Sequence, residues 1–271
     1  MTNNRFAIVQ RILDGPEVEK LKRAFRAVKC LTPADARTLA NDAFGILVKN
    51  LDIADAMALK GALQSEGIDT AVVMQNDLPE LPPIKFVRRM DCRPEHLMIC
   101  DPLGREVPVP WGHLMLIAAG DVGHFEMVSI APKPPASTEF WEPRTLRELI
   151  MDDDIDVIIP GDRADREDRR RETRVRRAVL EIVLARVTMR FHLEADKCLF
   201  NYLGDRKTSS VSENFRLLVR DLMAFAPQAL LNRGAFFLRE EPPTVFEYPS
   251  KNAFYEEMTW ILWRAQQTGS K

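Results

Sequence analysis

The sequence predicts an α+β protein, in which a small unit of strand, two helices, strand, helix and strand precedes a region of short antiparallel strands with helical closing elements. Three observations carry this. Between Arg5 and Gln75 the apolar residues switch between a period of two and a period of 3.6, with caps at the switches. From Ile84 to Ile130 the chain breaks into short alternating runs separated by closely spaced turn residues. From Ser210 a capped amphipathic stretch closes that region.

Phe6, Ile8 and, after a one-residue slip, Val9 give a first strand that ends at Asp14-Gly15-Pro16. Val18, Leu21, Ala24, Phe25 and Val28 then recur at helical spacing from Glu17 onward, with charged residues on the opposite face. Thr32-Pro33 caps a second helix carrying Ala36, Leu39, Ala40 and Phe44, which Gly45 stops. Ile46, Val48 and Leu51 form a strand. Asp52 caps a third helix with the stripe Ala56, Leu59 and Leu63, ended by Gly67, and Ile68 to Met74 closes the unit as a strand.

Beyond this unit, DLPELPP reads as a stiff linker, so the expected organisation is a small α/β domain at 1–76, a linker at 77–83 and an antiparallel domain at 84–226. Strands are expected at Lys85–Met90, His96–Cys100, Glu106–Val109, His113–Ala119 and Phe125–Ile130, and again at Val187–Leu193 and Cys198–Tyr202. A charged insertion at 131–179 interrupts them, and its stretch from Asp162 to Arg177 reads as a solvated helix laced with ion pairs. Ser210 and Glu213 form a capping box for a helix bearing Phe215, Leu218, Leu222 and Phe225, ended by Pro227. In the last part, 227–271, Ala229–Leu231 reads as a short helix, AFFL and TVFEY as two strands, and Asn252 to Gln266 as a helix. The aromatic residues of that helix surround more of its circumference than one core-facing stripe requires, so Tyr255, Trp260 and Trp263 are the candidate partner surface.

The segment LTPADARTLANDAFGILVKNLDIADAMALKGALQSEGIDTAVV, Leu31 to Val73, resembles the small α/β sandwich shared by the C-terminal domain of the bacterial ribosomal stalk protein and the Clp protease adaptor. That resemblance implies a module that docks other proteins. The strands that follow, closed by one helix and containing PLGREVPVPWGHLMLIAAG, resemble a pleckstrin-homology-like barrel. Lipid-binding members of that class use basic side chains on the first strands, a region that holds Lys85, Arg88, Arg89 and Arg93 here, although Asp91, Pro94 and Glu95 depart from a basic loop.

Composition narrows the function. The 271 residues hold 38 Lys and Arg against 40 Asp and Glu, a net charge of −2, which argues against a protein built as a whole to coat nucleic acid or a membrane. Any anion must meet a local patch, for which Arg88, Arg89, Arg93 and the run Arg169, Arg170, Arg171 are the candidates. No long apolar run and no signal-type leader is read, so a soluble, cytoplasmic protein is expected, with four cysteines as reduced, buried thiols. Cys92, His96 and Cys100 have metal-ligand chemistry at a spacing of four but lack a fourth ligand. His113 and His192 read as strand residues whose rings bond backbone. No GxSxG, P-loop, GxGxxG or HExxH motif occurs, and no catalytic residue, metal or cofactor is assigned. The expected function is therefore a non-catalytic protein-interaction or regulatory role with a protein partner. Binding of anionic lipid or nucleic acid through the arginine patches, and an enzyme with a motif-free site, are the alternatives.

Overall fold

The computed structural model describes residues 4–42, 44–101, 103–129, 170–185, 188–240 and 245–269. Residues 1–124 and 176–271 make one compact unit, and 125–175 a second, of which the described residues 125–129 and 170–175 are strand.

The chain opens with β1 (Phe6–Gln10), α1 (Val18–Phe25), α2 (Pro33–Asp42), β2 (Ile46–Leu51), α3 (Ile53–Ser65) and β3 (Thr70–Met74). The three strands form an antiparallel sheet of order β2-β1-β3. The expected slip in β1 is a bulge, since its register against β2 shifts on both sides of Ile8. Both predicted caps hold their helices: Asp35 N–H donates to Thr32 Oγ1, whose own N–H and hydroxyl donate to Asp35, and Asp55 N–H donates to Asp52 Oδ1 at 2.8 Å. One face of the sheet, with Ile8 and Leu47, packs on Leu21, Phe25, Leu59 and Leu63 of the helices. Each such large side chain contributes about 1.5–3 kcal/mol by leaving water.

Next come β4 (Ile84–Phe86), β5 (Arg89–Cys92), β6 (His96–Cys100), β7 (Glu106–Pro110), β8 (Leu114–Ser129), β9 (Arg170–Leu184), β10 (Arg190–Glu194), α4 (Val211–Phe225), β11 (Leu230–Leu231), α5 (Arg233–Arg239), β12 (Glu247–Tyr248) and α6 (Lys251–Gly269). β5, β6 and β7 form an antiparallel meander, while the remaining strands make a six-stranded sheet of order β11-β8-β9-β10-β4, with β12 also on β8. The protein is thus α+β, and no closed barrel forms among the described residues. Neither does any described helix have the length and apolarity to cross a membrane.

Several expectations are corrected. Gly120 does not separate two strands: β8 runs through it, because a Cβ there would lie 2.5 Å from the Tyr248 ring, and glycine lets that ring close on the strand. Residues 170–177, read as part of a charged helix, are strand in β9; the rest of the insertion lies outside the described residues. Cys198–Tyr202 is not a strand, since 3-10 turns occupy 195–197 and 201–206. Leu230–Leu231 is strand rather than helix, and AFFL is helix rather than strand, because Asn232 caps α5 by accepting from Ala235 N–H at 2.9 Å. The capping box of α4 is half made: Ser210 accepts from Glu213 N–H, but Glu213 turns to Arg216. The proline-rich stretch after β3 is packed, with Leu78 and Leu81 against buried clusters.

The long helix α6 positions everything that follows. Phe254, Met258 and Leu262 pack on Leu116, Ala118, Val122, Val179 and Val183 of the large sheet, whose other face buries Leu180, Ile182, Phe191 and Leu193 against α4. Trp263 packs instead on Ala7, Val9 and Ile46 of the small sheet, and Trp260 Nε1 donates to Gln10 O at 2.7 Å. Gly45 (φ +89°) permits this approach, since a Cβ there would sit 2.3 Å from the Trp260 ring.

Candidate functional site

The pairing of β9 with β10 sets Arg190 opposite Val183, His192 opposite Glu181 and Glu194 opposite Val179. Residues two apart along a strand share a face, so Arg190, His192 and Glu194 line up beside Arg177, Val179, Glu181 and Val183. That is the face which meets α6, whose Lys251, Phe254, Tyr255 and Met258 recur at helical spacing. Between these elements lies a cavity of about 170 Å³. Val122 of β8, Val179 and Phe254 supply its apolar lining; Arg177, Glu181, His192, Glu194, Lys251 and Tyr255 supply the polar lining.

Glu181 is the centre of the polar network and has no exposed surface. Its Oε1 lies 2.7 Å from His192 Nδ1 and accepts from the Tyr255 hydroxyl at 3.0 Å. Because a carboxylate only accepts, Nδ1 is the proton-bearing nitrogen of that ring, and Nε2 is turned toward Glu194 Oε1, 3.8 Å away. Phe86 of β4 covers the imidazole edge-on at 5.0 Å, as the β4–β10 register dictates. Glu194 accepts from Arg177 at 2.8 Å and from Lys197 at 2.6 Å. Burial pushes the Glu194 carboxyl up, but the bonds from Lys197 and Arg177 outweigh it and hold its pKa below the usual range. Burial, reinforced by the charge of Glu181, pushes the Tyr255 phenol up, which keeps it a donor.

The network is incomplete at one corner. Arg190 is 5 % exposed, and its Nε stands 3.5 Å from Glu181 Oε2, yet Nε, Nη1 and that carboxylate oxygen have no hydrogen-bond partner. Its guanidinium lies 4.4 Å over the Tyr255 ring, and the Lys251 ammonium stands 5.5 Å from the same ring. Lys251 itself is exposed and forms no ion pair with a carboxylate among the described residues.

The other candidate residues lie elsewhere. Arg89 is bound to Asp91 through Nη2 at 2.5 Å and approaches Glu106, which also faces Arg93 at 3.7 Å, so both cations stand beside carboxylates. Arg88 is exposed. Arg169 lies outside the described residues, and of Arg170 and Arg171 only the backbone, in β9, is described. Tyr255, Trp260 and Trp263 are engaged inside the chain, by Glu181, Gln10 and the small sheet respectively. Cys92 shares the core-facing side of its sheet with its partner Leu97, whereas His96 and Cys100 point to the other side, so the three do not converge. No group of three metal-ligating side chains meets among the described residues. Burial pushes the Cys92 and Cys198 thiols up to about 12, while Cys30, expected to be buried, is exposed.

His192, expected to bond backbone, bonds a glutamate. The sequence carries one signal for that partner: Glu181 is the single charge inside the apolar run AVLEIVLA, where a strand covered on both faces leaves a carboxylate no water. The ring that answers it is eleven residues away and across a strand pair. Comparison with protein-family models, with curated proteins and with solved structures finds no match to this chain.

Proposed function

We propose that this is a non-catalytic regulatory protein that binds a small molecule in the cavity between β9, β10 and α6. The observation that carries the reading is the convergence of a buried carboxylate–imidazole pair, the Arg177 and Lys251 side chains and an apolar lining on one cavity. A cavity of about 170 Å³ exceeds the roughly 150 Å³ that accommodates a benzene ring in an engineered protein core. Acid–base catalysis at the Glu181–His192 pair is the competing use of the same geometry. Binding is favoured because no Ser, Thr or Cys stands among the lining residues and the one phenol there is held protonated. A fragment panel screened by thermal shift tests the proposal. Binders are expected to raise the Tm of the wild type by about 1–3 °C and to lose that effect in a Val122→Phe variant whose cavity is filled. A panel that leaves the wild type unmoved, or moves both proteins alike, counts against it.

A second reading, protein docking by the N-terminal unit, is supported by a different feature. β3 is an edge strand, and its last residue, Met74, is 43 % exposed, with Ile53 and Met57 of α3 at 50 % and 54 %. The likeness of Leu31–Val73 to the stalk-protein and Clp-adaptor sandwich belongs to this reading, as does the likeness of the middle strands to a pleckstrin-homology-like module. Deleting the exposed side chains with Ile53→Ser and Met57→Ser is expected to abolish capture of a partner from extract without lowering Tm. Unchanged capture removes the reading.

A further inference from the structure

We infer, resting on the docking reading above, that the free edge of β3 pairs with the β3 edge of a second copy of this chain, the two strands running antiparallel about a twofold axis at Val73. The register of β3 on β1 sets which groups are available. Gln75 N–H donates to Arg5 O and Arg11 N–H donates to Asp69 O, so Asp69, Ala71, Val73 and Gln75 turn their main chain toward β1. Val72 and Met74 turn theirs outward, into a groove of about 920 Å³ bordered by Ile53 and Met57 of α3 and by Trp263 and Gln267 of α6. Thr70, the other residue in that phase, is 2 % exposed and closes the edge at its start. The opposite edge of the same sheet, β2, is blunted by Lys49, bound to Glu256 at 3.1 Å, and by Asn50 with φ at 65°. β7 is blunted by Pro108 and Pro110. β3 reads TAVVM, with no charge, no proline and an unbroken register, so nothing in it turns a further strand away.

Two features choose β3 itself as that strand. Arg11 and Arg264 border the groove at the start of β3, where Arg264 donates to Arg11 O, and exposed Asp77 borders it at the other end. Antiparallel pairing carries Asp77 of each copy to the Arg11 and Arg264 end of the other, whereas parallel pairing would set cation against cation. The second feature is apolar. A twofold axis perpendicular to the sheet keeps α3 and its counterpart on one face, and Met74, Ile53 and Met57, each 43 % exposed or more, stand on that face beside the axis. The same pairing that joins the charges therefore covers these side chains with their own counterparts, and it exchanges main-chain bonds between Val72 of each copy and Met74 of the other. The product is one continuous sheet of order β2-β1-β3-β3-β1-β2.

Sedimentation velocity on the full chain, across micromolar concentrations, tests this. The expected result is a reversible dimer in which the Val72 and Met74 amides gain protection from hydrogen exchange as concentration rises. Met74→Lys is expected to weaken the dimer by about tenfold or more, with circular dichroism unchanged because the side chain is exposed. Asp77→Arg and Arg264→Asp are each expected to weaken it by about fivefold and, combined in one chain, to restore it to within about twofold of the wild type. A chain that stays monomeric overturns the proposal. If capture from extract is then still lost with Ile53→Ser and Met57→Ser, the docking reading stands with a different protein as the partner; if capture is unchanged, both fall. A dimer that ignores Met74→Lys uses another surface and overturns the proposal, as does a charge swap that fails to restore it.

Discussion

Two glutamates without exposed surface, Glu181 in β9 and Glu257 in α6, each accept a hydrogen bond from a tyrosine hydroxyl, and their surroundings then diverge. Glu257 has both oxygens bonded: Oε2 takes the Tyr248 hydroxyl at 2.5 Å, and Oε1 takes the Arg233 backbone N–H at 2.9 Å and its Nε at 3.3 Å. Tyr248 in turn accepts from Asn232 Nδ2 at 2.8 Å. Asn232 also bonds the N–H and the C=O of Ala119, supplying to β8 the backbone partner that is missing between β11, paired at 116–117, and β12, paired at 121–122. Arg233 lies over the Phe44 and Phe246 rings. That cluster is closed and reads as scaffold. The Glu181 cluster crowds its donors onto one oxygen, leaves the other and part of Arg190 unbonded, and borders a cavity. A buried polar network that completes itself locks a fold, whereas one that stops short keeps capacity for something from outside.

Substitutions can break this contrast. The largest loss is expected for Gly234→Ala in the closed cluster: a Cβ would sit 1.8 Å from Ala119 O, backbone that cannot yield, costing about 3 kcal/mol or more in urea unfolding. Tyr248→Phe follows at about 2 kcal/mol, because it leaves Glu257 Oε2 buried and unbonded. The same change in the open cluster, Tyr255→Phe, is expected to cost only about 1 kcal/mol, since Oε1 of Glu181 keeps His192. Equal losses for the two tyrosines would erase the distinction between scaffold and site. The smallest effect belongs to Glu194→Gln and shows only in acid. Its folded pKa is depressed below the ordinary glutamate value of 4.5, so its contribution is present above that value and is lost as pH falls through the folded pKa. The variant is therefore expected to lose less Tm than the wild type between about pH 6 and about pH 3.5, by a fraction of a kcal/mol at most. A parallel fall would show that Arg177 and Lys197 contribute nothing to its charged form.

Local signals in the sequence were legible where side chain and backbone settle matters within a few residues. The caps at Thr32, Asp52 and Ser210 each hold the helix that follows, and the bulge in β1 falls at the expected slip. Misreadings fall where a distant element overrules propensity. AFFL has the composition of a strand, but it is helical because Asn232 caps it from one side and Gly234 lies against the β8 backbone on the other. Arginine-rich 170–177 reads as a solvated helix, yet it continues a strand whose apolar end, Val179 to Leu184, is buried on both faces. Trp260 and Trp263 exceed the needs of one helix stripe because α6 has two sheets to fill. The candidate site was legible only as two separate oddities, a lone glutamate in an apolar run and a histidine in a strand.

What the sequence determined by itself is therefore the α+β class and the helices and strands whose caps and periodicity lie within one segment, because those choices rest on contacts a few residues long. The tertiary structure alone decided that Glu181 meets His192 and Tyr255, that Asn232 completes β8, and that α6 roofs a cavity. Those meetings depend on strand register and on the angle at which a helix crosses a sheet, quantities set by packing the whole chain at once.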